Sequence, residues 1–131
     1  MFRIVLLFLV SCLMLIGCSD KSVVTITEQI VVAPTIVLAM GGETKVIIFW
    51  KNAGQYDSIF VERRLLPAKG EWGVYEVVDV IDGRLVEYED LGLSSRVVQA
   101  RYRLKALFQG VYSEYSNEFI VRVKGMKGRD L

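Results

Sequence analysis

At 131 residues the chain has room for one domain with a real core and not for two of ordinary size. Lys and Arg number 16 against 15 Asp and Glu, so no field of one sign draws the chain to nucleic acid or to acidic lipid. Histidine is absent, which removes the commonest general base and the commonest zinc ligand together.

The chain opens with one cation, Arg3, followed by an uncharged apolar run from Ile4 to Ile16. That run is shorter than the roughly eighteen residues a bilayer-spanning helix needs, and it suits the apolar region of a secretory signal. It closes on Leu15-Ile16-Gly17-Cys18, which resembles the lipobox of bacterial lipoproteins. The resemblance implies that Cys18 becomes the first mature residue and carries a diacylglyceryl thioether and an amide-linked acyl chain such as palmitate. The small residue at Gly17 lets a peptidase approach the backbone, and only a thiol makes the thioether. The blander reading makes Cys18 a small residue ending an ordinary signal, or the run an uncleaved anchor. Ser19, where the resemblance would put Asp for retention at the inner membrane, favours the outer membrane if the cell has two. Removal of the leader takes Arg3 with it and leaves 15 cations against 15 anions. Cys12 and Cys18 are the only cysteines, so the rest of the chain has no disulfide and must be held by packing.

These observations divide the chain into a signal segment at 1–17, a lipidated terminus and tether at 18–33, a folded body at 34–124 and a tail at 125–131. Within the body, Pro34 opens a strand over Thr35–Met40, ended by Gly41-Gly42. Lys45–Trp50 is a second strand with Val46, Ile48 and Trp50 on one face, and Lys51–Asp57 is a loop. Ser58–Leu66 alternates with Ile59 and Val61 inward and Phe60, Glu62 and Arg64 outward. After a turn at Pro67–Gly70, Trp72–Val80 is the fourth strand, Asp82-Gly83 marks a hairpin turn and Arg84–Tyr88 is the fifth. The clearest alternation comes last. Ala100, Tyr102, Leu104 and Ala106 alternate with Arg101, Arg103 and Lys105, Gln109-Gly110 supplies a turn, and Phe119, Val121 and Val123 alternate with Glu118 and Arg122. Seven short strands and no helical period predict an all-β sandwich of two sheets.

Several of these stretches together resemble a fibronectin type III domain. They are Trp50, Glu62-Arg63-Arg64, Tyr88-Glu89-Asp90-Leu91-Gly92-Leu93, Tyr102-Arg103-Leu104-Lys105-Ala106, and Gly110-Val111-Tyr112-Ser113-Glu114-Tyr115-Ser116-Asn117-Glu118. The match spans Pro34 to Lys124 and implies a seven-stranded immunoglobulin-like sandwich. One departure stands out. The family's corner tyrosine falls two places before Tyr102, where this chain has Ala100, so the hydroxyl-to-backbone bond of that corner is missing or replaced.

For chemistry, Glu87, Glu89 and Asp90 form the densest carboxylate cluster and Asp79 with Asp82 the next. They lie along one strand or in one turn, the pattern of a solvated edge rather than of two facing carboxylates. Asp79, Asp82 and Asp90 offer oxygen ligands for calcium without a recognised loop spacing. No catalytic residue, metal ligand or cofactor is assigned. Arg64, Arg101, Arg103, Lys105 and Arg122, with Phe60 among them, project from one sheet and form the candidate partner-binding face. Glu62 and Glu118 belong to the same face, so cross-strand ion pairs that keep the sheet soluble are the competing explanation. Trp50 reads as core. Trp72 reads as a cover over the end of the core or as a ring that stacks on a sugar. The expectation is a non-catalytic module, lipid-anchored in a bacterial cell envelope, that binds or spaces protein or glycan partners and no nucleic acid. The alternative is a structural accessory subunit of an envelope assembly or secretion machine, paired to its partner along an edge strand.

Overall fold

The structure is a computed structural model that describes residues 27–123. The signal segment, the proposed lipid site at Cys18, the first part of the tether and the tail at 125–131 lie outside the described residues. In chain order the strands are β1 (Thr35–Gly41), β2 (Val46–Lys51), β3 (Ser58–Pro67), β4 (Glu76–Asp82), β5 (Glu87–Asp90), β6 (Val97–Phe108), β7 (Val111–Tyr112) and β8 (Phe119–Arg122), with no helix among the described residues.

Two antiparallel sheets result. The smaller has the order β1-β2-β5, the larger β4-β3-β6-β7 with β8 also paired to β6. Period-two alternation decides what lies between them. Val46, Ile48 and Trp50 of β2 are buried, and Ile36 and Ala39 of β1 stand beside Trp50 and Ile48 in the same layer. A bulge between Ile36 and Leu38 keeps those two β1 residues on one side although they are an odd number apart. Opposite them, Ile59, Val61, Ala100, Tyr102, Leu104 and Ala106 are fully buried, paired across β3 and β6 as Ile59 with Ala106 and Val61 with Leu104. Trp50 sits in this core and donates its indole N–H to Asn52 Oδ1 at 3.0 Å.

The borders differ from the sequence reading in three places. The fourth strand starts at Glu76, not Trp72. Only Gly73 N reaches back to Leu65 O, and Trp72 and Tyr75 fold their rings over the sheet instead of pairing along its edge. The fifth strand starts at Glu87, not Arg84, because the Asp82 carboxylate accepts hydrogen bonds from the Arg84 backbone N–H and guanidinium and tightens the turn. The last strand is in two pieces, so eight segments replace seven. Between β7 and β8 the backbone leaves the ladder, and two serines stand in for it. Ser113 Oγ accepts from Ala106 N at 2.9 Å and Ser116 Oγ from Leu104 N at 2.8 Å.

The missing corner tyrosine is replaced across the core. Arg63 pairs with Tyr102 on the inner face and reaches Asp90 of the opposite sheet, its Nη1 donating to both carboxylate oxygens at 2.6 and 2.7 Å. The Tyr102 hydroxyl donates to Asp90 Oδ2 at 2.6 Å. The Tyr102 pKa is therefore pushed far up, first by burial and then by the adjacent carboxylate.

Candidate functional site

The outer face of the larger sheet carries every cation proposed for partner contact. Phe60, Glu62 and Arg64 of β3 stand opposite Lys105, Arg103 and Arg101 of β6, and Arg122 of β8 stands opposite Gln99 on the same side. None of this needs more than alternation and register. The rings between them were not anticipated. Trp72 and Tyr75 arrive from the β3–β4 connection and Tyr112 and Tyr115 from the broken last strand, and together they interleave with the cations in one row.

The row runs as follows. The Arg64 guanidinium lies 5.3 Å from the Trp72 ring and 5.1 Å from Tyr75, and Arg101 lies 5.0 Å from Trp72. Arg103 is held between Tyr75 at 3.8 Å and Tyr115 at 3.6 Å, and Lys105 Nζ between Tyr115 at 4.8 Å and Tyr112 at 5.2 Å. Phe60 closes the row edge-on to Tyr112, with centroids 5.7 Å apart. The electron-rich ring faces offset part of the water each cation gives up.

Two carboxylates complete the face. Glu62 Oε1 accepts from Arg103 Nε and Nη2 at 3.2 and 2.9 Å, and Glu118 Oε2 accepts from Arg101 Nη1 at 3.3 Å. Glu62, outward by register, is nevertheless buried, because the Arg103 side chain lies over it. Tyr75 is pushed up to about 12, by burial first and then by the Glu118 carboxylate. Arg64 Nε, Arg101 Nε and the Tyr75 hydroxyl are covered with no hydrogen-bond partner among the described residues. Trp72 lies on this face rather than over the end of the core, and two guanidiniums stack against its ring, which takes up a surface a sugar would need.

The sequence contained a signal for these rings that alternation passes over. Tyr112-Ser113 and Tyr115-Ser116 repeat at a spacing of three, each serine binding β6 while the preceding tyrosine is thrown onto the cations. A second signal was Arg63, a cation at an inward position, which demands a buried anion.

The carboxylates named for chemistry do not converge. Glu87 and Glu89 stand beside Phe49 and Ile47 on the outer side of β5, Glu89 against Lys45 at 3.4 Å, while Asp90 turns inward to Arg63. Asp82 is occupied by Arg84 in the β4–β5 turn, which pulls its carboxyl down to about 2. No group of three or more His, Cys, Asp or Glu among the described residues is placed to hold a metal ion.

One end of the sandwich gathers the N-terminal entry and three connections. The Tyr56 hydroxyl donates to Val32 O at 2.7 Å and accepts from Ala53 N at 3.0 Å. Asn52 Nδ2 donates to Gly83 O and Leu85 O in the β4–β5 turn, and Gln109 N of the β6–β7 turn donates to Asp57 Oδ2. An open cleft of about 290 Å³ lies here between Gln29–Val32, the β2–β3 loop and Phe108.

With strand order, register and the cross-core substitute for the corner tyrosine in view, comparison with solved structures is decisive for the fold. A domain of human collagen alpha-1(XX), a fibronectin type III domain, superposes with a TM-score of 0.60 at 16% identity, covering 78% of this chain and 93% of that one. The fold is fibronectin type III-like. A fibronectin type III-like protein from Clostridium thermocellum matches with a TM-score of 0.56 at 18% identity, over 76% of this chain and all of that one. A β-1,2-glucanase from Parabacteroides distasonis matches with a TM-score of 0.59 at 18% identity over 73% of this chain, which spans only 13% of the enzyme's length. No protein-family model and no curated protein matches the sequence. At these identities the likeness shows the fold of the fibronectin type III-like sandwich and leaves its function to its own residues.

Proposed function

We propose that the chain is a membrane-anchored envelope lipoprotein whose fibronectin type III-like sandwich acts, without catalysis, as a binding or spacer module for protein or glycan partners. Cys18 carries the lipid, and the outer membrane is the expected site in a cell with two. The observation that carries the non-catalytic reading is the dispersal of the carboxylates. Glu89 and Asp90, neighbours in sequence, leave β5 on opposite sides, one to solvent beside Glu87 and one to Arg63 in the core. Acid and base groups on opposite sides of a sheet cannot act on one substrate atom.

Partner contact is assigned to the outer face of the larger sheet. Lys105 and Arg122 have no carboxylate partner among the described residues, so their charge is available at the surface. Metabolic labelling with palmitate tests the anchor: label in the wild type and none in Cys18→Ser is expected, and equal labelling removes the lipoprotein reading. For the face, capture of envelope partners by Lys105→Glu/Arg122→Glu is expected to fall at least tenfold below wild type.

The second reading, an accessory subunit of an envelope assembly, is favoured by one feature. β4 ends the larger sheet with its far side unpaired among the described residues and Val77 and Val80 exposed, a template for an incoming strand. Loss of capture on placing proline in β4, with the double charge reversal inert, selects this reading.

A further inference from the structure

We infer that the end of the sandwich formed by Gln29–Val32, the β2–β3 loop and the β4–β5 turn rests on the bilayer surface, so that the domain's first binding partner is the membrane that anchors it. The inference rests on the lipid-anchored reading of Cys18 and adds an orientation to it.

The first observation is where the chain enters. Val32 O is bonded by Tyr56, Val31 packs against the core, and Gln29 Nε2 donates to Gln109 Oε1 of the β6–β7 turn at 3.3 Å. The N-terminal segment is thus fixed to one end of the molecule. The C-terminal end of β8 belongs to the other, where Gly41 abuts the backbone of Arg122 and Leu93 N donates to Thr44 O.

The second is reach. From Cys18 to Gln29, the first described residue hydrogen-bonded to the body, there are eleven residue steps, which fully extended span about 38 Å. β6, with 12 residues, runs about 38 Å along the long axis. A tether no longer than the body would have to be drawn out straight, at the entropic cost of ordering all of it, for the body to turn over and present its far end to the membrane. The entry end or a flank meets lipid without that cost.

The third is chemistry. Ile30 is 78% exposed and Val32 61%, and Val86 and Leu85 of the adjoining turn are 49% and 45% exposed. Asn52 ties that turn to the β2–β3 loop, so the four side chains belong to one rigid end. Aliphatic groups beside amides (Gln29, Gln55, Gln109) suit the boundary between headgroups and acyl chains. The main flank competing for lipid, the outer face of the larger sheet, has three of its arginines, Arg64, Arg101 and Arg103, engaged by rings or by Glu62 and Glu118.

The test uses full-length lipidated protein reconstituted into phosphatidylcholine vesicles with and without phosphatidylglycerol. Once Cys12 is removed with the leader and Cys18 is a thioether, an engineered cysteine is the sole free thiol. A bimane label is placed at Leu85→Cys or Ile30→Cys on the entry end, at Val74→Cys on the β3–β4 connection of the far end, and at Lys105→Cys on the sheet. Quenching by a nitroxide on the lipid headgroup is expected to be at least threefold stronger at both entry-end positions than at the other two. Equal quenching at both ends, or strongest quenching at Lys105→Cys, overturns the orientation while leaving the anchor intact. Wild-type protein that fails to float with the vesicles overturns the anchor and this inference together.

Discussion

A half-buried arginine is the residue on which the two sheets are keyed to each other. Arg63 retains 23% of its side-chain surface and Asp90 only 5%, with the Tyr102 hydroxyl as second donor to the carboxylate. Deleting the acid strands a half-buried guanidinium and a buried phenol at once. Asp90→Ala is expected to cost about 2–4 kcal/mol, toward the low side of buried-pair values because Arg63 is partly wet, read from the denaturant midpoint at constant slope. Tyr102→Phe, which removes one hydrogen bond to a charged acceptor, is expected to cost about 1.5–3 kcal/mol. The tyrosines also set an alkaline limit. Tyr75 is raised to about 12 and Tyr102 is raised as well, whereas in the unfolded chain both ionise near 10. The unfolded state therefore releases protons first, so their contribution is complete below pH 10 and is lost as pH climbs toward 12. Stability measured across that window should fall, and Tyr75→Phe should flatten the fall. An unchanged slope would remove Tyr75 as its source.

At the scale of elements, the row of rings and cations exists because one strand is broken. If β7 and β8 formed one continuous strand, alternation would send only every second side chain to the outer face. Leaving the ladder at Ser113 and returning at Phe119 brings Tyr112 and Tyr115 onto it together, at the cost of two β6 N–H groups that lose backbone acceptors. Ser113 and Ser116 restore those acceptors inside the protein. Ser116→Ala should leave the Leu104 N–H buried and unpaired and cost about 1–3 kcal/mol, with Ser113→Ala similar at Ala106. Arg103→Met keeps the aliphatic stem but loses two ring contacts and the Glu62 pair, for about 1–3 kcal/mol in total. A chemical-denaturation series would rank the three; a neutral Arg103→Met would mean that the row is held by packing alone.

For the whole molecule the sensitive place is the seam between the sheets. β1 of the smaller sheet passes β8 of the larger, and a Cβ at Gly41 would run into the carbonyl of Arg122. Backbone, unlike the end of a long side chain, cannot swing aside. Gly41→Ala should therefore force β1 off β8 and cost about 1–3 kcal/mol, visible as a lowered thermal midpoint. Asn117 braces the same seam, its side-chain amide accepting from Ile36 N at 2.8 Å and donating to Ile36 O at 2.9 Å. With no cysteine past Cys18, such contacts and the core do the holding that disulfides do in other small sandwiches.

Alternation of apolar and charged residues determined the two-sheet sandwich, the buried set on β2, β3 and β6, and the common face of Arg64, Arg101, Arg103, Lys105, Arg122 and Phe60. These follow from a period of two along each strand, which is local and so can be read from neighbours in sequence. The resemblance of Leu15-Ile16-Gly17-Cys18 to a lipobox is legible for the same reason and falls outside the described residues. Only the tertiary structure decided that Asp90 meets Arg63 and Tyr102 across the core, that Trp72 and Tyr75 leave the edge of β4 to cover arginines, and that the entry segment meets three connections at one end. Those pairings join residues tens of positions apart, and no local period encodes which of the available carboxylates or rings will arrive.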